Sequence, residues 1–444
     1  MNTILITFMA ASNLFASPAG SSVFTLDSVA LQAEAPLVEQ ATKEESRNKL
    51  QSALQILGPL KSSAAALVRG RVLLKQAKYD ACATEFEKAA KDPKLSSLLL
   101  RENAFLAILT EKVAEAESGF LEVMKSDYPK QSDVGRELAK LLQRKSHSKF
   151  LSHYETIKSI TTDTNHQSTL LGLKAKVLKS QNKTKESHQL IKEQWVSHPL
   201  AAATPKKEPS RIRFGNNDRL KRAEVLLGYH QNERSLTTLR AIPTKSMDNA
   251  QWCNYSFIAG MAHRKLHNYD KAEKYLLKAM KMCSDHDLRR RAHYTAAKVI
   301  SIRDGLRAIG TIEKFVKDFS GHTMVDDVLF WAGDMYQRRD RNAEAILYYK
   351  RAENQSTPGD MCSESRWRRG WMAYRQNQFS AAETIFNDVL SQDGCVKETE
   401  DLSRAHYWLG RIAQRQAKPS KATKHLQKAI KLSAMGFYGQ MAMS

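Results

Sequence analysis

Glycine and proline, the residues that punctuate tight turns, are scarce. There are 19 Gly and 11 Pro in 444 residues, which disfavours an all-β chain of short strands joined by hairpin turns. The five cysteines contain no Cys-x-x-Cys pair, so a zinc ribbon is not expected. No glycine-rich phosphate loop occurs. No apolar run is long enough to span a bilayer. Acidic residues are in deficit: 47 Asp and Glu stand against 69 Lys and Arg, a formal net charge of +22. Such a basic surface expects an anionic partner, whether nucleic acid, an acidic membrane or an anionic wall polymer. No recognised nucleic-acid-binding domain accompanies the charge, so nucleic acid is not the expected partner.

What is present is globular in character. Hydrophobic residues make up 42% of the chain and charged residues 26%, enough for a large core in two or more domains. The first residues, "MNTILITFMAASNLFAS", have an apolar centre from Ile4 to Ala11 and are similar to a secretory signal peptide over residues 1–16. The basic residues that usually precede such a centre are missing, since the first Lys or Arg is Lys43. The expectation is an exported, periplasmic protein; the structural alternative is a short buried N-terminal helix.

Five stretches repeat one pattern. They start at Gly70 ("GRVLLKQAKYDACATEFEKAA"), Gly260, Gly333, Gly370 and Gly410. Twelve residues after each Gly stands a small residue: Cys82, Ala272, Ala345, Ala382 or Ala422. Four further on is a large one: Phe86, Leu276, Tyr349, Phe386 or Leu426. Steps of three and four residues mark one face of a helix, and Gly and Ala allow two helices to approach closely. This is the tetratricopeptide pattern of antiparallel helix pairs. The predicted fold is all-α, a tetratricopeptide-like solenoid of helical hairpins. Residues 17–197 are expected to form an N-terminal helical arm with one degenerate repeat. Residues 198–218, "HPLAAATPKKEPSRIRFGNND", carry three prolines and predict a hinge. Residues 219–432 hold the clear repeats. The apolar segment 433–444, with Phe437 and Tyr438, is expected to begin a linker and to seek a covering layer.

The order "HTMVDDVLFWAGDMYQRRDRNAEAILYYKRA", "RWRRGWMAYRQNQFSAAETIF", "RAHYWLGRIAQ" and "GFYGQMA" resembles the C-terminal part of the helical arm in soluble lytic murein transglycosylases. "QWVSHPLAAATP" and "DRLKRAEVLLG" are similar to mid-domain segments of that family. The resemblance covers most of residues 194–442. It implies a helical arm around a lysozyme-like catalytic domain, which needs a Glu-Ser pair followed by Gly-Leu-Met-Gln. The pairs Glu45-Ser46, Glu117-Ser118, Glu186-Ser187 and Glu364-Ser365 lack that partner, so no catalytic residue is assigned. No cofactor is expected.

Cys253 and Cys283 flank the Gly260 hairpin, and Cys362 and Cys395 flank the Gly370 hairpin. The start of one helix lies beside the end of the next in an antiparallel pair, within disulfide reach. Two bridges, Cys253–Cys283 and Cys362–Cys395, are therefore expected, with Cys82 a buried thiol. Five residues after each repeat Gly stands Lys75, Lys265, Arg338, Arg375 or Arg415. With Arg71, Arg264 and Arg411 they suggest a basic binding groove; the structural alternative is cations offsetting the macrodipole at a helix end. Trp367, Trp371 and Tyr374 share a helical face and read as core before they read as a sugar platform. His263 and His267 lie one turn apart without a carboxylate motif, which does not make a metal site.

These readings converge on a non-catalytic scaffold at the cell wall, holding peptidoglycan or a wall enzyme. Two alternatives stand beside it: a truncated or split transglycosylase subunit working with a separate catalytic chain, and a general peptide-binding tetratricopeptide adaptor.

Overall fold

The computed structural model describes residues 5–7, 23–25, 29–126, 131–355, 357, 359–391, 395 and 398–444. Apart from Leu5–Thr7, the expected signal peptide lies outside the described residues. Leu5–Thr7 (β1) pairs antiparallel with Val23–Thr25 (β2); all other regular structure among the described residues is helical. The chain forms two compact units, residues 1–214 and 215–444.

The first unit stacks five helical hairpins: α1 (Val29–Ser46) with α2 (Leu50–Leu57), α3 (Ser63–Lys75) with α4 (Tyr79–Ala89), α5 (Ser96–Leu109) with α6 (Val113–Lys125), α7 (Gln131–Lys145) with α8 (His147–Ser159), and α9 (Thr164–Ser180) with α10 (Thr184–Ser197). The segment after α10, expected as a hinge, is seated on this unit as far as Phe214. The Gln194 amide donates to the carbonyl oxygens of Ser168 (2.8 Å) and Ala203 (3.0 Å). Thr204 and Ser168 hydroxyls meet at 2.8 Å. Ile212 and Phe214 bury against Trp195 and Val196. Its prolines interrupt the helix, and side chains take up some of the backbone groups left open: the Ala203 carbonyl accepts from Gln194 and the Ala202 N–H donates to Asn165.

The second unit contains α11 (Asn216–Gly228) with α12 (Asn232–Arg240), α13 (Asn249–Lys265) with α14 (Tyr269–Met282), α15 (His286–Arg303) with α16 (Ile309–Asp318), α17 (Met324–Gln337) with α18 (Asn342–Glu353), α19 (Met361–Arg375) with α20 (Phe379–Leu390), α21 (Thr399–Arg415) with α22 (Pro419–Leu432), and a short α23 (Phe437–Met443). The expected linker start is thus helical. Tyr438 packs on Tyr407 with ring centroids 5.6 Å apart, while Phe437 on the same helix is 67% exposed.

Two local devices build the hairpins. The first is close packing at the repeat glycines. A Cβ at Gly70 would stand 2.4 Å from Phe86, and one at Gly333 would stand 2.6 Å from Tyr349. Gly260, Gly370 and Gly410 meet Leu276, Phe386 and Leu426 in the same way. In every case the large residue lies sixteen positions on, across the hairpin, and Phe86, Tyr349, Phe386 and Leu276 are buried. Full burial of such a side chain contributes about 1.5–3 kcal/mol. The second device is the turn. Asn48, Ala77, Glu111, Asn182, His230, His267, Asp340, Asn377 and Ala417 all have φ near +60°. Each lies between the two helices of a hairpin, and the next residue's N–H reaches back five positions: Lys78 to the Leu73 carbonyl (3.0 Å), Asn268 to His263 (2.9 Å), Lys418 to Ala413 (2.9 Å). This six-to-one bond satisfies a carbonyl that the ending helix leaves open and reverses the chain in three residues. The hairpins α7–α8 and α15–α16 turn without a residue of positive φ.

Candidate functional site

The basic residues that follow each repeat glycine meet different fates. Lys75 is not a groove cation. Its ammonium lies 2.9 Å from the Glu45 carboxylate, in a pair whose side chains are 9% and 1% exposed. Arg71 approaches the same carboxylate at 3.3 Å. Glu45 arrives from α1, and a carboxylate out of water requires such counter-charges. Lys265 donates to the Leu227 carbonyl at 3.2 Å, near the end of α11, where a cation offsets the macrodipole. Arg264 is half-buried on α13. Arg411 and Arg415 are exposed on α21.

Arg338 and Arg375 come together. Both line a cleft of about 520 Å³ with Asp334, Asn342, Arg368 and Trp371. A second cleft, of about 400 Å³, holds Lys298, Arg303, Trp331 and Arg339, and shares Asp334 and Arg338 with the first. The two adjoin along the first helices α15, α17 and α19. Arg375 is exposed, lies 5.0 Å from the centre of the Trp371 ring, and has no carboxylate within ion-pair distance among the described residues. Arg338 is 76% exposed and pairs with Asp334 at 2.8 Å. The Lys298 ammonium stands 4.9 Å from the Trp331 ring. Arg368 pairs with Glu364 at 3.1 Å and lies 5.4 Å from Trp367. Cations resting on aromatic faces are held in place yet keep donors free for an anion.

At the edge of this surface the Tyr294 hydroxyl donates to Asp327 at 3.2 Å. Burial, reinforced by the neighbouring Asp326, pushes the Asp327 carboxyl up to about 6. Asp326 accepts the backbone N–H of Met361 at 2.8 Å and so helps to seat the start of α19. The Trp367 and Trp371 rings are half-buried and stacked at 6.0 Å, partly core and partly cleft wall; Tyr374 turns instead toward Phe379 and Trp408.

Sequence reasoning missed Lys298, Trp331 and Arg368. For two of these a signal existed: Trp331 and Arg368 stand seven residues before Arg338 and Arg375, two helical turns along one face. Lys298 lies in the hairpin with the weakest repeat pattern and carried no such mark.

The Cys253 and Cys283 sulfurs are bonded, as are those of Cys362 and Cys395, with Cα separations of 4.8 and 5.5 Å. Each bridge ties the first helix of a hairpin to the chain beyond its second: Cys283 directly follows α14, and Cys395 lies five residues past the end of α20. Cys82 is a free, buried thiol, which burial pushes up to about 12, so it is unreactive near neutrality. His263 stacks on Tyr275 at 5.7 Å, while His267 sits in the turn and hydrogen-bonds with the Tyr269 hydroxyl at 2.8 Å. Among the described residues no group of three or more His, Cys, Asp or Glu is placed to hold a metal ion. No described helix is long and apolar enough to cross a membrane.

Two stretches, residues 255–286 and 403–434, match the tetratricopeptide repeat family. The chain carries tetratricopeptide repeats. The matched stretches span α13–α14 and α21–α22, the hairpins of Gly260 and Gly410. Solved structures of similar arrangement include YrrB, a tetratricopeptide protein described with an unusual peptide-binding site (19% identity, 46% of this chain and 96% of that one, TM-score 0.32). Others are a chain of the APC/C hetero-tetramer Cut9–Hcn1 (14%, 94% and 85%, TM-score 0.25) and the human IFIT1 dimer with PPP-AAAA (13%, 92% and 91%, TM-score 0.29). A comparison with curated proteins returned no match.

Proposed function

We propose that this chain is a non-catalytic adaptor that holds an acidic segment of a partner protein in the cleft over α15, α17 and α19. Tetratricopeptide repeats are protein-binding scaffolds. The observation that carries the specific reading is Arg375: an exposed guanidinium braced on Trp371, without a carboxylate at ion-pair distance among the described residues, in a cleft that also holds Arg338 and Arg368. Such a group gains a charge-assisted hydrogen bond when a carboxylate arrives and gives up no internal ion pair. Full-length protein is titrated with a fluorescent acidic peptide. Joint reversal, Arg338→Glu with Arg375→Glu, is expected to weaken binding at least tenfold at moderate salt. Unchanged affinity removes the cleft from the reading.

A second reading keeps the partner at the cell wall and the protein exported. It is supported by the residue order that resembles the transglycosylase arm and by two disulfides, which persist in oxidising compartments. On this reading the same double variant loses co-sedimentation with murein sacculi. Recovery of the protein in the cytosolic fraction of its native cells, with all five thiols reactive after denaturation, removes it.

A further inference from the structure

We infer that the last hairpin of the first unit carries a second binding site, for an extended partner segment in which an apolar residue is flanked by acids. The site is separate from the cleft over α15, α17 and α19 and does not depend on it. It is a cleft of about 360 Å³ along α9 and α10. Leu173 and Ile191 line it from the two helices, and Ala203 and Pro205 line it from the segment that follows them.

Gln194 carries the inference. The hairpin keeps the repeat pattern with Ala175 in the place of the glycine: Ser187 stands twelve residues on and Ile191 sixteen. The Ser187 hydroxyl donates to the Ala175 carbonyl at 2.8 Å. Nineteen residues after the five repeat glycines stand Ala89, Ala279, Ala352, Val389 and Ala429, all buried. Here that position holds Gln194, a polar side chain only 3% exposed. Its nitrogen has a structural role, donating to the Ser168 and Ala203 carbonyls at 2.8 and 3.0 Å. Carbonyl oxygens only accept, so these two bonds fix which end of the amide is the nitrogen. The other end, Oε1, accepts no hydrogen bond among the described residues, and Gln194 lines the cleft. A buried acceptor without a donor is costly, and a ligand N–H relieves that cost.

The charge beside the cleft favours an acid. Lys176 and Lys179 line it, are exposed, and have no carboxylate at ion-pair distance among the described residues. They follow Gly172, where an added Cβ would stand 3.1 Å from the Gln194 nitrogen, by about one and two helical turns. An apolar cleft with a few fixed polar groups binds a ligand that matches each of them. An extended peptide does so: a backbone N–H for Oε1, an apolar side chain for the cleft, carboxylates for the two ammonium groups. A free aliphatic carboxylate brings no N–H, and a glycan brings no apolar body.

The test uses full-length protein carrying Arg338→Glu and Arg375→Glu, which shut the second-unit cleft to acids. The probe is a labelled, capped peptide with one leucine between two aspartates in a serine background, read by fluorescence anisotropy. Replacing its leucine by serine, or methylating the leucine nitrogen, is expected to weaken binding about tenfold. Lys176→Glu with Lys179→Glu is expected to weaken it about fivefold. Ala203→Trp, at an exposed position of the cleft wall, should abolish binding while the circular dichroism spectrum stays unchanged. Binding that survives Ala203→Trp, or that ignores the leucine or its N–H, overturns the site. Equal competition by octanoate overturns the peptide assignment in favour of a free aliphatic anion. A wild-type dimer that Ala203→Trp dissociates overturns it in favour of a second copy. None of these results touches the Arg375 reading, because that cleft is shut throughout.

Discussion

The two units place a cation at the same point of the same repeat and use it in opposite ways. In the first, Lys75 follows Gly70 by five residues and is buried on Glu45. In the second, Arg375 follows Gly370 by five residues and stays exposed over Trp371. The scaffold is alike in both, down to the large side chain packed on the glycine. What differs is the preceding hairpin. Before Lys75, the helix alongside supplies Glu45; before Arg375, it supplies Arg338, which already has Asp334. A basic residue at this repeat position is therefore a structural counter-ion where a neighbour brings a buried acid, and a candidate contact where it does not.

The sharpest way to break the comparison is to remove the acid. Glu45→Ala removes the buried acid that Lys75 and Arg71 share, Arg71 keeping Glu102 at 3.8 Å, and should destabilise the first unit by about 3–5 kcal/mol, read from urea unfolding. Arg375→Glu, exposed in the second unit, should move its unfolding by less than about 0.5 kcal/mol. A small effect at Glu45 would mean that the buried pair is solvated and that the two cations differ less than their surroundings suggest.

The bridges separate the units next. Both lie in the second, closing sequence separations of 30 and 33 residues. Replacing either pair by serine should cost about 2–4 kcal/mol in the transition of the second unit and leave that of the first unmoved. A common shift in both would show that the units unfold as one.

The smallest effect tests where the units should agree. Ala77 and Ala417 hold φ values of 59° and 56° in equivalent turns. Left-handed backbone costs a residue with a Cβ about 1–2 kcal/mol. Ala77→Gly and Ala417→Gly should each raise stability by about 0.5–1 kcal/mol, seen as a higher denaturant midpoint with an unchanged slope.

The fold was legible in the sequence where small and large residues recur at helical steps. The glycines, the alanines twelve positions on and the large residues four beyond mark hairpins that the structure contains. Helix boundaries were less legible. α1 stops at Ser46 and α2 starts at Leu50, and no glycine announces the turn between them, which the backbone torsion at Asn48 makes. The candidate site was half legible. Arg338 and Arg375 were singled out by their period, but the same period also selected Lys75 and Lys265. Separating them required knowing what the adjacent hairpin presents, and repeat spacing does not encode that. Lys298 was missed because a cation outside the counted position looks like ordinary solvated charge, whereas Arg368 could have been found seven residues before Arg375.

The left-handed corners have a wider consequence. Asparagine, alanine, glutamate, histidine and aspartate all occupy the same joint, since two backbone bonds close it whatever the side chain. A joint indifferent to its letter lets mutation erode the written motif while the elbow persists. Two stretches of this chain match the repeat by sequence, yet nine elbows among the described residues bend alike; kinship among such arrays is better traced by comparing torsions than by aligning residues.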